Sequence, residues 1–309
     1  MWWLNLEKSA CTRSWETRII VPINDISDKG TTTVRSRIVR FEEGRAFPDE
    51  DRLTVEEPLE IAVRNSKTTL PLGVAFRTPG EDEALVLGML FNEGIISSPK
   101  DVLSMRFTQE KGATMPAWRV MVRVAENVTL EQERHGRAFP ISSACGACGK
   151  SALESLRIPR EERFRESEGL SFSEAEVMGF PRKLLLRQSD FLRTGGLHAA
   201  ARFGANGEII ASAEDIGRHN AMDKLVGEWL KEADVPWSEQ AILFSGRLGY
   251  DLMQKALAVG CPFLVSIGAP SSFAVELANL FKVTLVGFLR GERFNVYSCP
   301  QRIQFTEQS

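Results

Sequence analysis

The last third of the chain predicts an α/β fold, on three observations. Short apolar runs at residues 241–245, 263–267 and 283–288 have the length and composition of strands buried on both faces. Stretches of helical period separate them, which is the βαβ alternation of a sheet flanked by helices. Ahead of them, runs at 197–203 and 208–212 flank Asn206-Gly207, the dipeptide of a tight β-hairpin. The prediction is a mixed, largely parallel sheet with helices on both faces, preceded by a smaller α+β domain. Residues 1–138 and 139–309 are the expected division.

In chain order, residues 1–50 carry no motif that places them and read as a candidate extension. Leu59, Ile61 and Val63 alternate with polar neighbours, as do Trp118, Val120, Val122 and Val124, the period of half-buried strands. Between them Pro79-Gly80 breaks the chain. Glu81, Asp82 and Glu83 then supply first-turn acids for a helix running to about Asn92, with Gly94 as its stop. That helix is apolar on nearly every side, so burial is expected. Residues 160–168 form a charge run, read as solvated surface. From about His219, the side chains of Met222, Leu225, Val226, Trp229 and Leu230 fall on one helical face. Further helices are expected over 250–259 and 272–280.

The 309 residues carry 38 Lys+Arg against 41 Asp+Glu, a net charge of -3, with 43% hydrophobic and 26% charged residues. That balance excludes a disordered or fibrous chain. A pI near 5.8 without a basic block argues against nucleic acid as a partner. The longest uncharged apolar run, residues 84–91, is far short of the ~20 residues that span a bilayer, so no membrane partner is expected. The start has no cationic leader, and a cytoplasmic location follows as the expectation. Thiols there stay mostly reduced, and five cysteines are too few for a disulfide scaffold of this length.

The sharpest motif is Cys145-Gly-Ala-Cys148-Gly-Lys150. Three uses of such a pair are open. A closed metal site needs four ligands, but Cys11, Cys261 and Cys299 are dispersed and the chain has only 3 His. A dithiol redox pair of thioredoxin type would follow a strand and open a helix, a setting not evident here. Nucleophilic sulfur chemistry is the third. Residues 151–156 read as helical, and a helix N-terminus together with Lys150 favours the thiolate.

Other polar clusters compete for roles. His198 follows Thr194-Gly-Gly on a strand, either as a satisfied core histidine or as a functional one. Asp215, Arg218 and His219 crowd the entry to a helix, more than a cap needs. His135 reads as surface. At the carboxyl ends of the three apolar strands stand Ser245-Gly-Arg247, Gly268-Ala-Pro-Ser-Ser272 and Arg290-Gly-Glu-Arg293. Ligands of open α/β sheets sit at those ends, where small residues permit close approach and arginine pairs with phosphate. A ligand bearing phosphate or pyrophosphate is the expectation.

The sequence resembles the formate dehydrogenase accessory sulfurtransferase family (FdhD) from about Thr54 to Arg302. The blocks are Arg77-Thr-Pro-Gly80, Glu93-Gly-Ile-Ile96, Cys145-Gly-Ala-Cys-Gly149, Thr194-Gly-Gly-Leu-His-Ala-Ala200 and residues 214–225. Ser245-Gly-Arg247, Val286-Gly-Phe288 and Asn295-Val-Tyr297 complete them. Each is weak alone; together and in this order they are specific. The resemblance implies a homodimeric sulfurtransferase that takes sulfur from a cysteine desulfurase as a persulfide. It passes the sulfur to the molybdenum cofactor in its bis(molybdopterin guanine dinucleotide) form, a bound substrate for which GDP is an analogue, and so activates formate dehydrogenase. The persulfide residue maps to Cys145 and an assisting thiol to Cys148. The cofactor-binding segment maps to Phe288, Leu289, Arg290, Gly291, Glu292 and Arg293. A cytidine-deaminase-like fold is implied for the C-terminal domain.

Two alternatives share parts of this pattern. A non-catalytic cofactor carrier would keep every binding feature and lack only the reactivity of Cys145. A zinc-dependent deaminase needs His-x-Glu on one helix and Pro-Cys-x-x-Cys on the next. Here the cysteine pair precedes the histidine and lacks the proline, and His198 is followed by three alanines. No metal is therefore assigned.

Overall fold

The computed structural model describes residues 31–110, 117–130, 169–232 and 235–306. Cys145, Cys148, the expected helix over 151–156 and the charge run at 160–168 lie outside these residues.

The chain opens with a ribbon of two ten-residue antiparallel strands, β1 (Thr33–Glu42) and β2 (Arg45–Thr54). A four-stranded sheet follows in the order β4-β3-β6-β5, from β3 (Glu57–Arg64), β4 (Thr69–Arg77), β5 (Val102–Glu110) and β6 (Ala117–Val124). The predicted alternation holds there: Leu59, Ile61, Val63, Val120, Val122 and Val124 are all fully buried. Helix α1 (Asp82–Asn92) is buried along nearly its whole length, as its continuous apolarity requires. Gly94 follows its end at φ +63.

The larger unit is a six-stranded sheet in the order β13-β12-β11-β10-β8-β9. Its strands are β8 (His198–Gly204), β9 (Ile209–Asp215), β10 (Gln240–Phe244), β11 (Phe263–Ser266), β12 (Thr284–Arg290) and β13 (Arg293–Ser298). The expected hairpin is β8–β9, with Gly207 at φ +69 in its turn. Helices cover both faces, because the central strands are apolar on both. Ile242 and Phe244 pack with α4 (Arg218–Glu232), α5 (Tyr250–Val259) and α6 (Ser272–Leu280). Ala241 and Leu243 face α2 (Glu174–Leu185) through Val177, Phe180 and Leu184. A six-residue helix, α3 (Ser189–Thr194), leads into β8. Two short strands, β7 (Phe172–Ser173) and β14 (Ile303–Gln304), pair in parallel beside α2.

One expectation is corrected. The sheet is mixed but not largely parallel: β10–β11 and β11–β12 are parallel ladders, while β8–β9, β8–β10 and β12–β13 are antiparallel. Hairpins at each end of the sheet cause this. Arg290-Gly-Glu-Arg293 is the tip of the second hairpin rather than a strand end leading to a loop, with Gly291 at φ +57 reversing the chain. The second difference is α2. The capping box Ser173-Glu-Ala-Glu176 is a start signal in the sequence, masked by Pro181 inside the helix.

Helix α1 and helix α4 cross at glycine on both sides, Gly88 and Gly227. Through this crossing the four-stranded sheet, α1 and α4 share one buried core with α5 and α6.

Candidate functional site

The carboxyl ends of β10, β11 and β12 are laced to β8 by backbone hydrogen bonds. Ser245 N–H donates to Ala199 O at 3.0 Å, Gly268 N–H to Gly246 O at 3.1 Å, and Phe288 N–H to Gly268 O at 3.0 Å. The Ser245 hydroxyl accepts from the Ala199 N–H at 2.9 Å and lies 3.5 Å from His198 Nδ1. A second tier follows, with Leu248 N–H to Ala269 O and Ser271 N–H to Leu248 O. His198, Ser245, Arg247 and Phe288 thereby come together on one rim, four positions dispersed in sequence. Arg247 and Phe288 are exposed there, and Phe288 is held at φ +55.

Arg218 reaches the same rim from the neighbouring β9–α4 turn, its Cδ 3.9 Å from where a Cβ on Gly246 would stand, while Asp215 and His219 of that turn are buried. Asp215 is fully buried, and four donors fill its carboxylate. Oδ1 accepts from Gly217 N–H at 2.9 Å and Asn220 Nδ2 at 2.8 Å. Oδ2 accepts from Thr78 N–H at 3.1 Å and pairs with Lys224 Nζ at 2.9 Å. Lys224 also donates to the carbonyls of Thr78 and Glu214. Asp215 is thus a positioning residue that holds the turn and the end of β4 together. Glu214 accepts from the N–H groups of Asp190 and Phe191 at the start of α3.

The two histidines are kept neutral. Burial, then the charge of Arg218, lowers His198 below the ordinary imidazole value, with Asp215 acting in the opposite sense. His219 is pushed down to about 3, first by burial and then by Lys255, Arg218 and His198.

Of the C-terminal segment, Phe288, Arg290, Gly291, Glu292 and Arg293 are exposed, whereas Leu289 is buried in the core beneath α2. Leu289 therefore packs rather than faces a ligand. Arg290 and Arg293 are cross-strand partners in the hairpin register. Like charges placed opposite one another are unfavourable unless an anion lies between them.

The sequence marks Asn220 as one of five polar side chains at this helix entry but gives no individual role to Thr78 or Lys224, and it does not show the ion pair of Lys255 with Asp223, which Asn92 completes. Asn220 and Lys224 lie within a polar run at the start of α4, but nothing local shows that this run is buried. Among the described residues, no group of three or more His, Cys, Asp or Glu side chains is placed to hold a metal ion. No helix among them is long and apolar enough to cross a membrane.

The sequence model of the FdhD/NarQ family matches residues 54–304. The chain belongs to the FdhD/NarQ family. It is 39% identical over 278 residues to the "Sulfur carrier protein FdhD" of Streptomyces coelicolor, covering 89% of this chain and 96% of that one. Identity to the protein of the same name from Mycobacterium tuberculosis is 40% over 281 residues, 89% and 99% of the two chains. The Sulfolobus acidocaldarius protein is 38% identical over 267 residues, 86% of this chain and 97% of its own. Among solved structures, one described as a formate dehydrogenase accessory protein from Desulfotalea psychrophila superposes with a TM-score of 0.66. It is 24% identical, over 89% of this chain and all of that one, and so supports the mixed α/β fold.

Proposed function

We propose that this FdhD/NarQ chain is a sulfur carrier that accepts sulfur on Cys145 from a cysteine desulfurase. It delivers that sulfur to the molybdenum cofactor in its bis(molybdopterin guanine dinucleotide) form, activating formate dehydrogenase. One observation carries this: the near full-length match to relatives named sulfur carrier protein, in a chain with the pair Cys145-Gly-Ala-Cys148. We place the sulfur and cofactor chemistry in residues 139–309, for which we propose a cytidine-deaminase-like fold, and we propose a homodimer.

The chemistry balances without an external oxidant. The Cys145 thiolate attacks the outer sulfur of the desulfurase persulfide. The S–S bond to the desulfurase cysteine breaks, and that cysteine leaves as a thiolate. Release at the sulfide level needs two electrons. Cys148 supplies them by attacking the inner sulfur of the Cys145 persulfide, forming a Cys145–Cys148 disulfide and expelling hydrosulfide, which would replace an oxygen ligand on the substrate's metal, the oxygen taking up protons and leaving as water. A cellular thiol then reduces the disulfide.

The binding half of the reading is supported by the laced strand ends. They bring His198, Ser245, Arg247 and Phe288 to one rim, and the facing Arg290 and Arg293 suit a phosphate. Arg218 and His219 adjoin this rim, and Asp215 fixes their turn.

In cells lacking their own copy of this protein, Cys145→Ala should abolish formate dehydrogenase activation while leaving the abundance of the carrier unchanged. Restored activity with that variant would contradict the reading and favour a carrier that only binds the cofactor.

A further inference from the structure

His219 is the one described imidazole whose two nitrogens are both buried without a hydrogen-bond partner, and only 7% of the residue is exposed. Such groups carry a desolvation penalty unless something fills them. Its position is specific. It occupies the first turn of α4, a 15-residue helix whose opening N–H groups have no intrahelical acceptor. The charges that act on its ring are Lys255, Arg218 and His198. Of these, Lys255 is committed to both carboxylate oxygens of Asp223.

Gly246 lies against two of the groups that act on this ring, His198 and Arg218. A Cβ there would stand 3.4 Å from two ring atoms of His198 and 3.9 Å from Cδ of Arg218. The loop backbone, the His198 imidazole and the stem of Arg218 thus converge beside the start of α4. Arg218 adds a cation beside the carboxylate-paired Lys224 and Lys255, burial favours the neutral imidazoles, and a helix N-terminus adds donors. A neutral imidazole offers one N–H donor, so it can bind an oxyanion oxygen without itself carrying charge.

We propose that His219, with Arg218, His198 and the first turn of α4, forms a subsite for a phosphate-type oxyanion, separate from the Arg290–Arg293 hairpin. The inference rests on the proposed nucleotide-bearing substrate for its biological ligand, and it assigns one phosphate of that substrate to this place. A free phosphate has the same chemistry, so the two sources are separated by experiment.

The chain has 3 His, and imidazole ¹⁵N spectra of the full-length protein are correspondingly simple. Histidine-labelled protein is titrated with inorganic phosphate, GDP and guanosine, with nucleotide affinity measured in parallel by calorimetry. Phosphate and GDP should move the His219 and His198 ring signals, and guanosine should not. His219→Phe keeps an aromatic ring but removes the donor, and should weaken phosphate about tenfold or more. Gly246→Ala meets its neighbours only at ordinary contact distance, so it should fold normally while narrowing the subsite and weakening phosphate binding. If calorimetry shows GDP bound while the His219 signal stays fixed, this subsite is refuted and the nucleotide reading survives. If phosphate moves His219 but GDP does not bind, the subsite stands and the nucleotide reading falls. Ring signals of a metal-bound imidazole, with stoichiometric zinc, would overturn the anion assignment.

Discussion

Asp215→Ala should lower the free energy of unfolding by about 3–5 kcal/mol, because it strands a buried cation. Lys224 is 1% exposed, and its partner Asp215 is fully buried. Removing the carboxylate also takes the acceptor from the N–H groups of Thr78 and Gly217 and from the Asn220 amide. These three donors lie on the end of β4, the β9–α4 turn and α4, so the loss falls where three elements meet. A stability of about 5–15 kcal/mol is usual for a native protein, so the variant should be soluble only at low temperature or not at all. Removing both charges with Asp215→Ala and Lys224→Met should recover part of the loss, since no uncompensated charge remains. Denaturant unfolding of the parent, the single variant and the double variant checks this. An Asp215→Ala protein within about 1 kcal/mol of the parent would show that the pair does not hold the turn.

Gly227→Ala is expected to have a comparable effect for a different reason. A Cβ at Gly227 would lie 1.9 Å from the carbonyl oxygen of Ala84, and one at Gly88 would lie 1.9 Å from that of Asp223. The obstacles are backbone atoms of a facing helix, so no rotamer change relieves them. Overpacking of a core commonly costs about 1–3 kcal/mol, and a rigid neighbour puts this case at the upper end or beyond. Helices α1 and α4 must separate, and the four-stranded sheet moves with α1 because they share one core. Thermal unfolding of Gly227→Ala and Gly88→Ala should show large losses in both. A parent-like melting temperature in either would mean that the helices do not cross at these glycines.

Much of the fold is legible in the sequence where periodicity and burial agree. The strands around Leu59 and Val120, the helix after Pro79-Gly80 and the hairpin at Asn206-Gly207 each carry a local signal, and each forms. The β1–β2 ribbon was not visible. Its first strand puts arginines on both faces, Arg35 and Arg37 on one and Arg40 on the other, and neither strand has a buried residue, so there is no apolar face to read. β4 hides behind Pro71 and Gly73, residues that ordinarily argue against a strand. The sheet is less parallel than its apolar strands predict, because β13 pairs as a hairpin across Arg290-Gly-Glu-Arg293, a segment whose composition reads as a loop.

The site divides in the same way. Small residues at strand ends are a local signal, and the rim of His198, Ser245, Arg247 and Phe288 follows from them. Asp215 was legible as a helix entry but not as the centre of four donors, since Thr78 and Lys224 reach it from separate stretches of chain. Leu289 was carried along by its neighbours, although a strand sends alternate side chains to opposite faces, and this one enters the core.

Sulfur loading of Cys145 tests the central claim most directly. The purified full-length chain is incubated with a cysteine desulfurase and L-cysteine, then digested and read by mass spectrometry. One additional sulfur should appear on the peptide containing Cys145, and Cys145→Ala should remove it. An additional sulfur on Cys11, Cys261 or Cys299 instead, or none on any cysteine, would contradict the account.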